Sequence, residues 1–144
     1  MFFLPQRPYM IIGTLRSQLL YPSDKQNVTD DELNEVLKTV NLADLGERFG
    51  GLEVESDWGK ILSLGEQQRV AFARVLLAKP RYVILDEATS ALDTKNEEAL
   101  YQQLLDTGAT LVSVSHRLNI LKFHKQVLDL GGDGSGPTRC TASY

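Results

Sequence analysis

A short apolar run that ends on two adjacent carboxylates constrains the fold of this chain more than any other feature. Residues 82–85 read YVIL, a stretch typical of a strand buried in a sheet, and Asp86 and Glu87 follow at once. Two carboxylates at the end of a buried strand are costly unless a cation meets them. A metal ion carrying a nucleotide phosphate would meet that need, and parallel α/β sheets bind ligands at the carboxyl ends of their strands. The run therefore predicts a parallel α/β sheet with a ligand site at this strand end.

The helix before this strand has the start expected of a phosphate site. Ser63 and Gly65 stand where it begins, and we expect it to continue to Ala78. A helix amino end presents unpaired backbone N–H groups and a positive dipole. Ser63 adds a hydroxyl donor, and Gly65 leaves room for a close backbone approach. The alternative is an ordinary helix capped by serine, which needs no ligand.

The rest of this helix divides into an apolar set and a polar set. Its apolar face is formed by Val70, Phe72, Ala73, Leu76 and Leu77. A solvated face is expected to carry the polar residues Gln67, Gln68, Arg69 and Arg74. Pairing of Arg69 with acidic groups near the helix start is the alternative for that one side chain.

Two further segments lead toward the same edge of the predicted sheet. Residues 2–6 look like the end of a core strand that runs into a loop carrying Gln6. A helix over 94–106 precedes a β-branched strand over 110–115, which delivers His116. A lone histidine at a strand end is usually structural, and a loop glutamine is usually solvated. Position alone therefore gives neither side chain a function.

The intervening residues predict helices with explicit amino caps. Thr14 is expected to cap one helix, and Thr29 with Glu32 has the spacing of a capping box. Asp30 and Asp31 suit the positive end of that second helix, so metal binding is not needed to explain them.

The stretch 61–93 resembles the ATP-binding cassette (ABC) ATPases, because LSLGEQQR, YVILDE and SALD are similar to the signature, the Walker B strand and the D-loop in the family's order and spacing. Asp86 resembles the Walker B aspartate that holds Mg²⁺, and Glu87 resembles the general base that polarises the attacking water. Gln6 is similar to the Q-loop glutamine, which coordinates the magnesium or orients that water. His116 resembles the switch histidine that contacts the γ-phosphate. The resemblance implies an ATPase site with ATP and Mg²⁺ as its ligands.

The resemblance also implies that the chain works in a pair. In this family the signature turn binds the γ-phosphate of ATP held by the opposite subunit, so Ser63, Gly65 and Glu66 would bind nucleotide across a head-to-tail dimer. Asp93 would join them from the D-loop, through which two cassettes communicate. Leu64 and Glu66 depart from the commonest signature. The form is similar to that of the peroxisomal fatty-acyl transporters (subfamily D) and their bacterial relatives.

The family implies a P-loop NTPase-like α/β core with a helical subdomain. On that basis residues 1–130 are expected to form a partial nucleotide-binding domain, with the helical subdomain at about 14–78, and residues 131–144 a flexible tail. No G-x-x-x-x-G-K-[ST] phosphate loop occurs in the sequence. We therefore expect a cassette whose amino-terminal part is missing, a fragment that is inactive alone.

Composition narrows the partners and the location. The formal net charge of −4 is unlike that of a basic nucleic-acid surface, so no nucleic-acid partner is expected. No apolar run approaches the roughly 20 residues that span a bilayer. The membrane role that the resemblance implies then needs a transmembrane domain outside this chain, in a peroxisomal or bacterial inner membrane. Tyr9 and Met10 either contact that domain or pack in the core.

Two functions remain open on the sequence. The chain is either the ATP-hydrolysing part of a lipid or fatty-acyl transporter, or a non-catalytic subunit that only lends its signature turn to a partner cassette. The missing phosphate loop favours the second, while Glu87 and His116 favour descent from an active enzyme. The chromosome-maintenance ATPases are disfavoured because they insert long coiled coils where residues 14–58 form a compact helical region.

Overall fold

The computed structural model describes residues 1–23, 27–130 and 137–142, with side chains described as far as residue 127. Its strands, in chain order, are β1 (Phe2–Leu4), β2 (Ile12–Thr14), β3 (Glu55–Asp57), β4 (Tyr82–Asp86), β5 (Thr110–Val114), β6 (Gln126–Leu130) and β7 (Pro137–Ala142). Its helices are α1 (Leu15–Leu20), α2 (Asp30–Thr39), α3 (Leu45–Phe49), α4 (Trp58–Ile61), α5 (Leu64–Ala78) and α6 (Thr94–Asp106), with a 3₁₀ helix at Leu118–Phe123.

A parallel sheet lies at the centre of the fold, with β4 between β1 and β5. Leu4 pairs with Leu85, which pairs in turn with Ser113, so the three strands run in register toward a common carboxyl edge. Helix α5 packs on β1, and α6 packs on β5. The predicted α/β class, a parallel sheet flanked by helices, is confirmed.

The two faces of this sheet differ in burial. Val83 and Leu85 of the central strand point into the core and are 0% exposed. Phe3, Ile84 and Val112 form one row across the three strands on the other face. Phe3 and Val112 are 54% and 55% exposed. Both faces of the sheet carry apolar side chains, as is typical of parallel strands, but only one of the two faces is buried in the core.

Helix α5 has the predicted span but not the predicted polar face. Gln68 and Arg74 are 0% and 5% exposed, so the expectation of a solvated face is wrong for both. Arg74 donates to the carbonyl oxygens of Gln18 at 2.7 Å and Tyr9 at 2.8 Å, which satisfies the buried guanidinium. Burial lowers the pKa of Arg74 to about 10, so the group remains charged at neutral pH. A buried cation thus ties α5 to α1 and to the loop after β1.

The predicted amino caps are present. The backbone N–H of Ser17 donates to Thr14 Oγ1 at 3.0 Å at the start of α1. At α2 the N–H of Glu32 donates to Thr29 Oγ1 at 3.2 Å, and the N–H of Thr29 donates to Glu32 Oε2 at 3.0 Å. These bonds satisfy backbone donors that a helix start leaves without partners. The helix predicted at 94–106 is α6, with the same bounds.

The segment between β1 and β4 holds α1 to α5 and an antiparallel pair of strands, β2 and β3. The division of this segment into a helical subdomain at about 14–78 stays a prediction. Within residues 1–23, 27–130 and 137–142, no helix is both long and apolar enough to cross a bilayer.

The flexible tail predicted over 131–144 stays a prediction, because residues 131–136 and 143–144 lie outside the described part of the chain. Residues 137–142 form β7, which pairs antiparallel with β6 and sets Leu128 opposite Cys140. A strand such as β6 has backbone N–H and C=O groups that need partners, and β7 supplies them.

Candidate functional site

Four residues predicted from the sequence follow or end the three parallel strands on the same side of the sheet. Gln6 follows β1, Asp86 ends β4 with Glu87 directly after it, and His116 follows β5. The register pairs Asp86 with Val114, so the ends of β4 and β5 are level. Parallel strands bring their carboxyl ends to one edge, which is where such sheets bind ligands.

Glu87 and His116 lie within direct reach of each other. Glu87 Oε1 is 3.5 Å from His116 Nε2, slightly longer than an ordinary hydrogen bond. The side chain of His116 is 99% exposed, whereas that of Glu87 is 22% exposed. A partly buried carboxylate therefore faces an imidazole that is fully exposed to solvent. Such a pair can take a proton from a water molecule and offer a hydrogen-bond donor to an anion.

The orientation of Glu87 is set by a turn and not by strand alternation. Its φ is +51°, in the left-handed region that non-glycine residues seldom adopt. The N–H of Glu87 donates to the carbonyl of Val114 at 2.9 Å, and its own carbonyl accepts from the N–H of Ser90 at 3.2 Å. A strained backbone held by its surroundings is a feature of many functional sites. Glu87 is therefore the first residue of a turn that directly follows β4.

Gln6 is linked to the loop after β4 and is not in hydrogen-bond contact with Asp86 or Glu87. Its side-chain Nε2 donates to Ser90 Oγ at 3.2 Å. The backbone carbonyl of Gln6 accepts from Gln68 Nε2 at 2.8 Å. The amide oxygen of Gln6, the atom suited to a hard cation, takes no part in these two bonds.

The donor chemistry at this edge fits a magnesium ion that arrives with phosphate oxygens. Asp86 offers a carboxylate and Gln6 an amide oxygen, both hard oxygen ligands. Within the described ranges, no group of three or more His, Cys, Asp and Glu side chains could hold a metal ion. Mg²⁺ is usually bound through one or two carboxylates together with substrate phosphates and water. The residues present therefore fit a nucleotide-borne Mg²⁺ better than a metal held by protein alone.

The predicted phosphate-binding turn is a capping box at the start of α5. The N–H of Glu66 donates to Ser63 Oγ at 3.2 Å, and the N–H of Ser63 donates to Glu66 Oε1 at 3.0 Å. Glu66 Oε2 also pairs with Arg48 Nη1 at 2.6 Å. Burial alone would raise the pKa of Glu66, but hydrogen bonds from Ser63 and Arg48 outweigh it and hold that pKa below its ordinary value. The Glu66 carboxylate is thus engaged inside the chain, while Ser63 is exposed.

Gly65 makes room for the chain itself. A Cβ at Gly65 would lie 3.2 Å from the carbonyl oxygen of Ala91 and 3.6 Å from a methyl group of Leu92. The start of α5 therefore packs directly on the loop after β4. The space that Gly65 leaves is therefore occupied by residues 91–92 of this chain, and phosphate binding at Gly65 stays a prediction.

Asp93 caps α6. Its Oδ1 accepts from the N–H of Asn96 at 2.7 Å. This role explains the residue without a ligand, and nucleotide binding by Asp93 stays a prediction. The loop predicted to join two cassettes ends at Asp93, so the last residue of that loop is also the amino cap of α6.

Sequence reasoning missed Gln68, a buried residue that contacts the same loop. Gln68 Oε1 accepts from the N–H of Ala91 at 3.0 Å, and its Nε2 donates to Ser90 Oγ at 3.0 Å. Gln68 shares the helix face of the core residues Phe72 and Val75, at spacings of four and seven. That periodicity was the available signal that this glutamine is buried.

A second missed cluster surrounds the carboxylate of Glu97, which is 0% exposed. The carboxylate accepts hydrogen bonds from Thr89 Oγ1 and from Asn119 Nδ2, and it lies 3.2 Å from Arg117 Nη1. Arg117 also donates to carbonyl oxygens of the loop after β4. Glu97 stands at helical spacing from Leu100 and Leu104, which placed it on the buried face of α6.

An apolar cleft opens beside the loop after β1. Its volume is about 310 Å³, and its lining includes Phe3, Pro8, Tyr9, Tyr21 and Arg74. Tyr9 is 66% exposed and packs against the ring of Tyr21 at a centroid distance of 5.6 Å. Met10 is partly buried and packs against the core. Of the two residues expected either to contact a transmembrane domain or to pack in the core, Tyr9 lies at the surface and Met10 packs inward.

A family model described as ABC transporter matches residues 6–90 of this chain. The matched span includes Gln6, Ser63 and Glu87, and His116 lies beyond it.

Individual relatives agree with that match. An uncharacterised ABC transporter ATP-binding protein of Synechocystis is 58% identical over 134 residues, which cover 93% of this chain and 20% of that protein. The chloroplastic ABC transporter D family member 2 of Arabidopsis thaliana is 44% identical, with 89% and 22% covered. A structure of a bacterial Atm1-family ABC exporter with ATP bound superposes with a TM-score of 0.80 at 29% identity, over 98% of this chain and 25% of the exporter chain. The chain spans about a fifth of the length of these curated relatives.

Proposed function

This chain belongs to the ABC transporter family, and on that premise we propose that it contributes an ATP-hydrolysing site to a membrane transporter. Glu87 acts as general base toward the water that attacks the γ-phosphate of ATP, and His116 contacts that phosphate. Asp86 and Gln6 would hold the Mg²⁺ that accompanies the nucleotide. The observation that carries the proposal is the 3.5 Å approach of Glu87 and His116 at the carboxyl edge of a parallel sheet.

The chemistry asked of these residues is modest. Phosphoryl transfer depends mainly on positioning and on stabilising charge, and bound Mg²⁺ supplies part of that stabilisation. The Glu87 carboxylate accepts the proton of the attacking water, and the turn that starts at Glu87 keeps the carboxylate at the sheet edge. His116 Nε2 donates a hydrogen bond to a phosphate oxygen. Gln6 Oε1 orients the water or ligates the cation.

A second cassette completes the proposed unit in a head-to-tail dimer. Ser63 lies exposed at the amino end of α5, where backbone N–H groups and the helix dipole favour an anion. The Ser63 hydroxyl accepts its capping bond and keeps its own proton to donate to a phosphate. The turn formed by Ser63, Gly65 and Glu66 then binds the γ-phosphate of the partner's ATP, with Asp93 nearby. Within the chain, Glu66 shapes this turn by closing the capping box.

The transmembrane partner is proposed to dock at the apolar cleft beside the loop after β1. That cleft exposes Tyr9 and Phe3, and large exposed apolar side chains around a concave surface are typical of interaction sites. Its position beside Gln6 would let docking reach the nucleotide site.

The transported substrate is proposed to be a lipid or a fatty-acyl compound. The support is the signature form LSLGEQQR, which is similar to that of the subfamily D transporters. The membrane is proposed to be a bacterial inner membrane or a peroxisomal membrane, and the 58% identity to a cyanobacterial protein favours the bacterial one.

The alternative function is a non-catalytic subunit that lends only its signature turn. The sequence carries no G-x-x-x-x-G-K-[ST] loop to hold ATP beside Glu87, which is the observation that favours this alternative. The two functions make different predictions. In the first, ATP hydrolysis depends on Glu87 of this chain; in the second, it depends on Ser63.

Hydrolysis of Mg-ATP in mixtures with the cassette domain of the Synechocystis relative separates the two functions. In the first mixture the partner carries glutamine at the position aligned with Glu87, so hydrolysis depends on Glu87 of this chain. In the second the partner carries alanine at the position aligned with Ser63, so hydrolysis depends on Ser63 of this chain. We expect Glu87→Gln to lower the first rate about 10²-fold or more, and Ser63→Ala to lower the second about 10²-fold.

Thr29→Ala is the matched control for Ser63→Ala, because it breaks the same kind of capping box in α2. Its rate in the second mixture should stay within twofold of the unsubstituted chain. A rate in the second mixture only would support the signature-lending subunit over the proposal. Rates in both mixtures that are indifferent to Glu87 and Ser63 would overturn both functions.

A further inference from the structure

The side-chain amide of Gln68 connects three separate parts of the chain. Its Nε2 donates to the carbonyl oxygen of Gln6 at 2.8 Å and to Ser90 Oγ at 3.0 Å. Its Oε1 accepts from the N–H of Ala91 at 3.0 Å. The side chain is 0% exposed, so water cannot replace these bonds if they are lost.

Arg117, the neighbour of His116, also donates hydrogen bonds to this loop. Arg117 Nη1 donates to the carbonyl of Leu92 at 2.7 Å, and Nη2 donates to the carbonyl of Ser90 at 3.0 Å. Inside the loop, the N–H of Leu92 donates to the carbonyl of Thr89 at 3.0 Å. The backbone of residues 90–92 is thus held by directional bonds from the side chains of Gln68 and Arg117.

Close packing leaves this loop little freedom to move against α5. A Cβ at Gly65 would lie 3.2 Å from the carbonyl oxygen of Ala91, so helix start and loop are already in contact. Buried polar networks whose members are all satisfied specify one arrangement of the parts they join. Gln68 is the residue of α5 whose side chain makes the hydrogen bonds of this contact to Ser90 and Ala91.

We propose that Gln68 is a positioning residue that holds the loop of residues 90–92 and the Gln6 backbone in fixed register with the start of α5. This inference rests on the proposed function, in which Gln6 and Ser63 serve two different nucleotides of the dimer. One buried amide then links the two half-sites that a single chain contributes. Because the Gln68 side chain is fully buried, its effect reaches the reaction through Gln6 and the signature turn.

Hydrogen exchange on the full chain tests the positioning without any nucleotide. Gln68→Met keeps the length of the side chain and removes both the donor and the acceptor. We expect the Ala91 amide to exchange at least tenfold faster in this variant, while amides in the centre of β4 change by less than threefold. Gln67→Met is the matched control, since the neighbouring Gln67 bonds to the carbonyls of Gly59 and Leu62, which precede α5. It should leave Ala91 unchanged.

Gln68→Glu separates the donor from the acceptor, because a carboxylate still accepts from Ala91 but cannot donate to Gln6. We expect Ala91 to stay protected in this variant. In both mixtures with the partner cassette, Gln68→Met and Gln68→Glu should lower kcat about tenfold and leave KM for ATP within twofold. A residue that only stabilises the fold would instead raise exchange uniformly through the core.

The outcomes divide cleanly. Faster exchange of the Ala91 amide in Gln68→Met, with the β4 amides unaffected, supports the positioning role. This holds even if mixtures with the unsubstituted chain hydrolyse no ATP, because that result would overturn only the proposed function. Uniform exchange, or an unchanged Ala91 amide, overturns the positioning role. An unchanged kcat for Gln68→Met in mixtures that do hydrolyse ATP overturns it as well.

Discussion

The Glu87 carboxylate lies 3.5 Å from the imidazole of His116, and each side chain is brought there by a different strand of one sheet. Glu87 follows β4 in a left-handed turn, with its N–H bonded to the last residue of β5. His116 stands two residues beyond the end of β5. The pair is therefore a product of strand register, because a slip of β5 against β4 would move the imidazole away from the carboxylate.

Replacing His116 by alanine should affect catalysis and leave stability almost unchanged. The side chain is 99% exposed, so its loss should change the free energy of unfolding by less than about 0.5 kcal/mol. We expect ATP hydrolysis that depends on Glu87 to fall at least tenfold in the mixture whose partner carries glutamine at the aligned position. Urea unfolding of the chain measures the stability.

His124→Ala should show the opposite pattern. Its Nε2 lies 2.8 Å from Ser113 Oγ and its Nδ1 lies 3.0 Å from the carbonyl oxygen of Ile120. Loss of these part-buried bonds should cost about 1–3 kcal/mol of unfolding free energy. A His116 variant that is as unstable as the His124 variant would contradict the functional assignment of His116.

Removing Arg117 should destabilise the chain strongly. Glu97 is fully buried, and Arg117→Ala leaves its carboxylate with neutral partners only. Breaking a buried ion pair by removing one member costs about 3 kcal/mol or more. Urea unfolding should show a midpoint well below that of the unsubstituted chain.

Arg16→Ala is the control for charge alone. Arg16 pairs with Asp30 at 2.5 Å and Glu53 at 2.6 Å, but both carboxylates are more than half exposed. Its loss should therefore cost less than about 1 kcal/mol. Equal effects of the two arginine variants would show that the Glu97 cluster is not the reason for the loss.

Two glycines in helices should respond differently to alanine. A Cβ at Gly65 would meet the Ala91 carbonyl oxygen at 3.2 Å, so Gly65→Ala forces the loop or the helix start to shift. We expect a loss of about 1 kcal/mol, because overpacking exceeds the gain in helix propensity. A Cβ at Gly46 in α3 would meet no atom of the described residues within 4 Å, and Gly46→Ala should gain a few tenths of a kcal/mol. A stabilising Gly65→Ala, measured in the same thermal unfolding experiment, would rule out the close packing of α5 on the loop.

The capping box at α5 should make stability depend on pH through Glu66. Its folded-state pKa lies below the ordinary value, so its contribution is present above the unfolded-state pKa of about 4.3 and is lost as pH falls through the folded value. We expect Glu66→Gln to be less stable than the unsubstituted chain at pH 7. The difference in unfolding free energy should shrink below pH 4. A difference that is constant from pH 7 to pH 3 would mean that the Glu66 charge contributes nothing.

Local patterns in the sequence predicted the elements and the side chains that end them. The apolar run at 82–85 is the central strand, and α6 has its predicted bounds of 94–106. The capping box predicted at Thr29 formed, and the helix start at Ser63 has one as well, because each box joins residues three apart on one chain segment. The sequence also predicted that Gln6, Asp86 and His116 would lie at or just beyond the ends of strands in a parallel sheet, although their catalytic roles stay predictions.

By itself, then, the sequence determined the strands of the parallel sheet, helices α5 and α6 and the amino caps, since each depends on neighbours within a turn or a few residues. Tertiary structure decided the left-handed turn at Glu87, the burial of Gln68 and Arg74, and the cluster around Glu97. Each of these depends on a partner that the fold brings from elsewhere: Gln68 meets the carbonyl of Gln6, 62 positions away, and Arg74 meets that of Gln18, 56 positions away. A polar side chain is buried only when such partners satisfy it, and no local pattern states where those partners will lie.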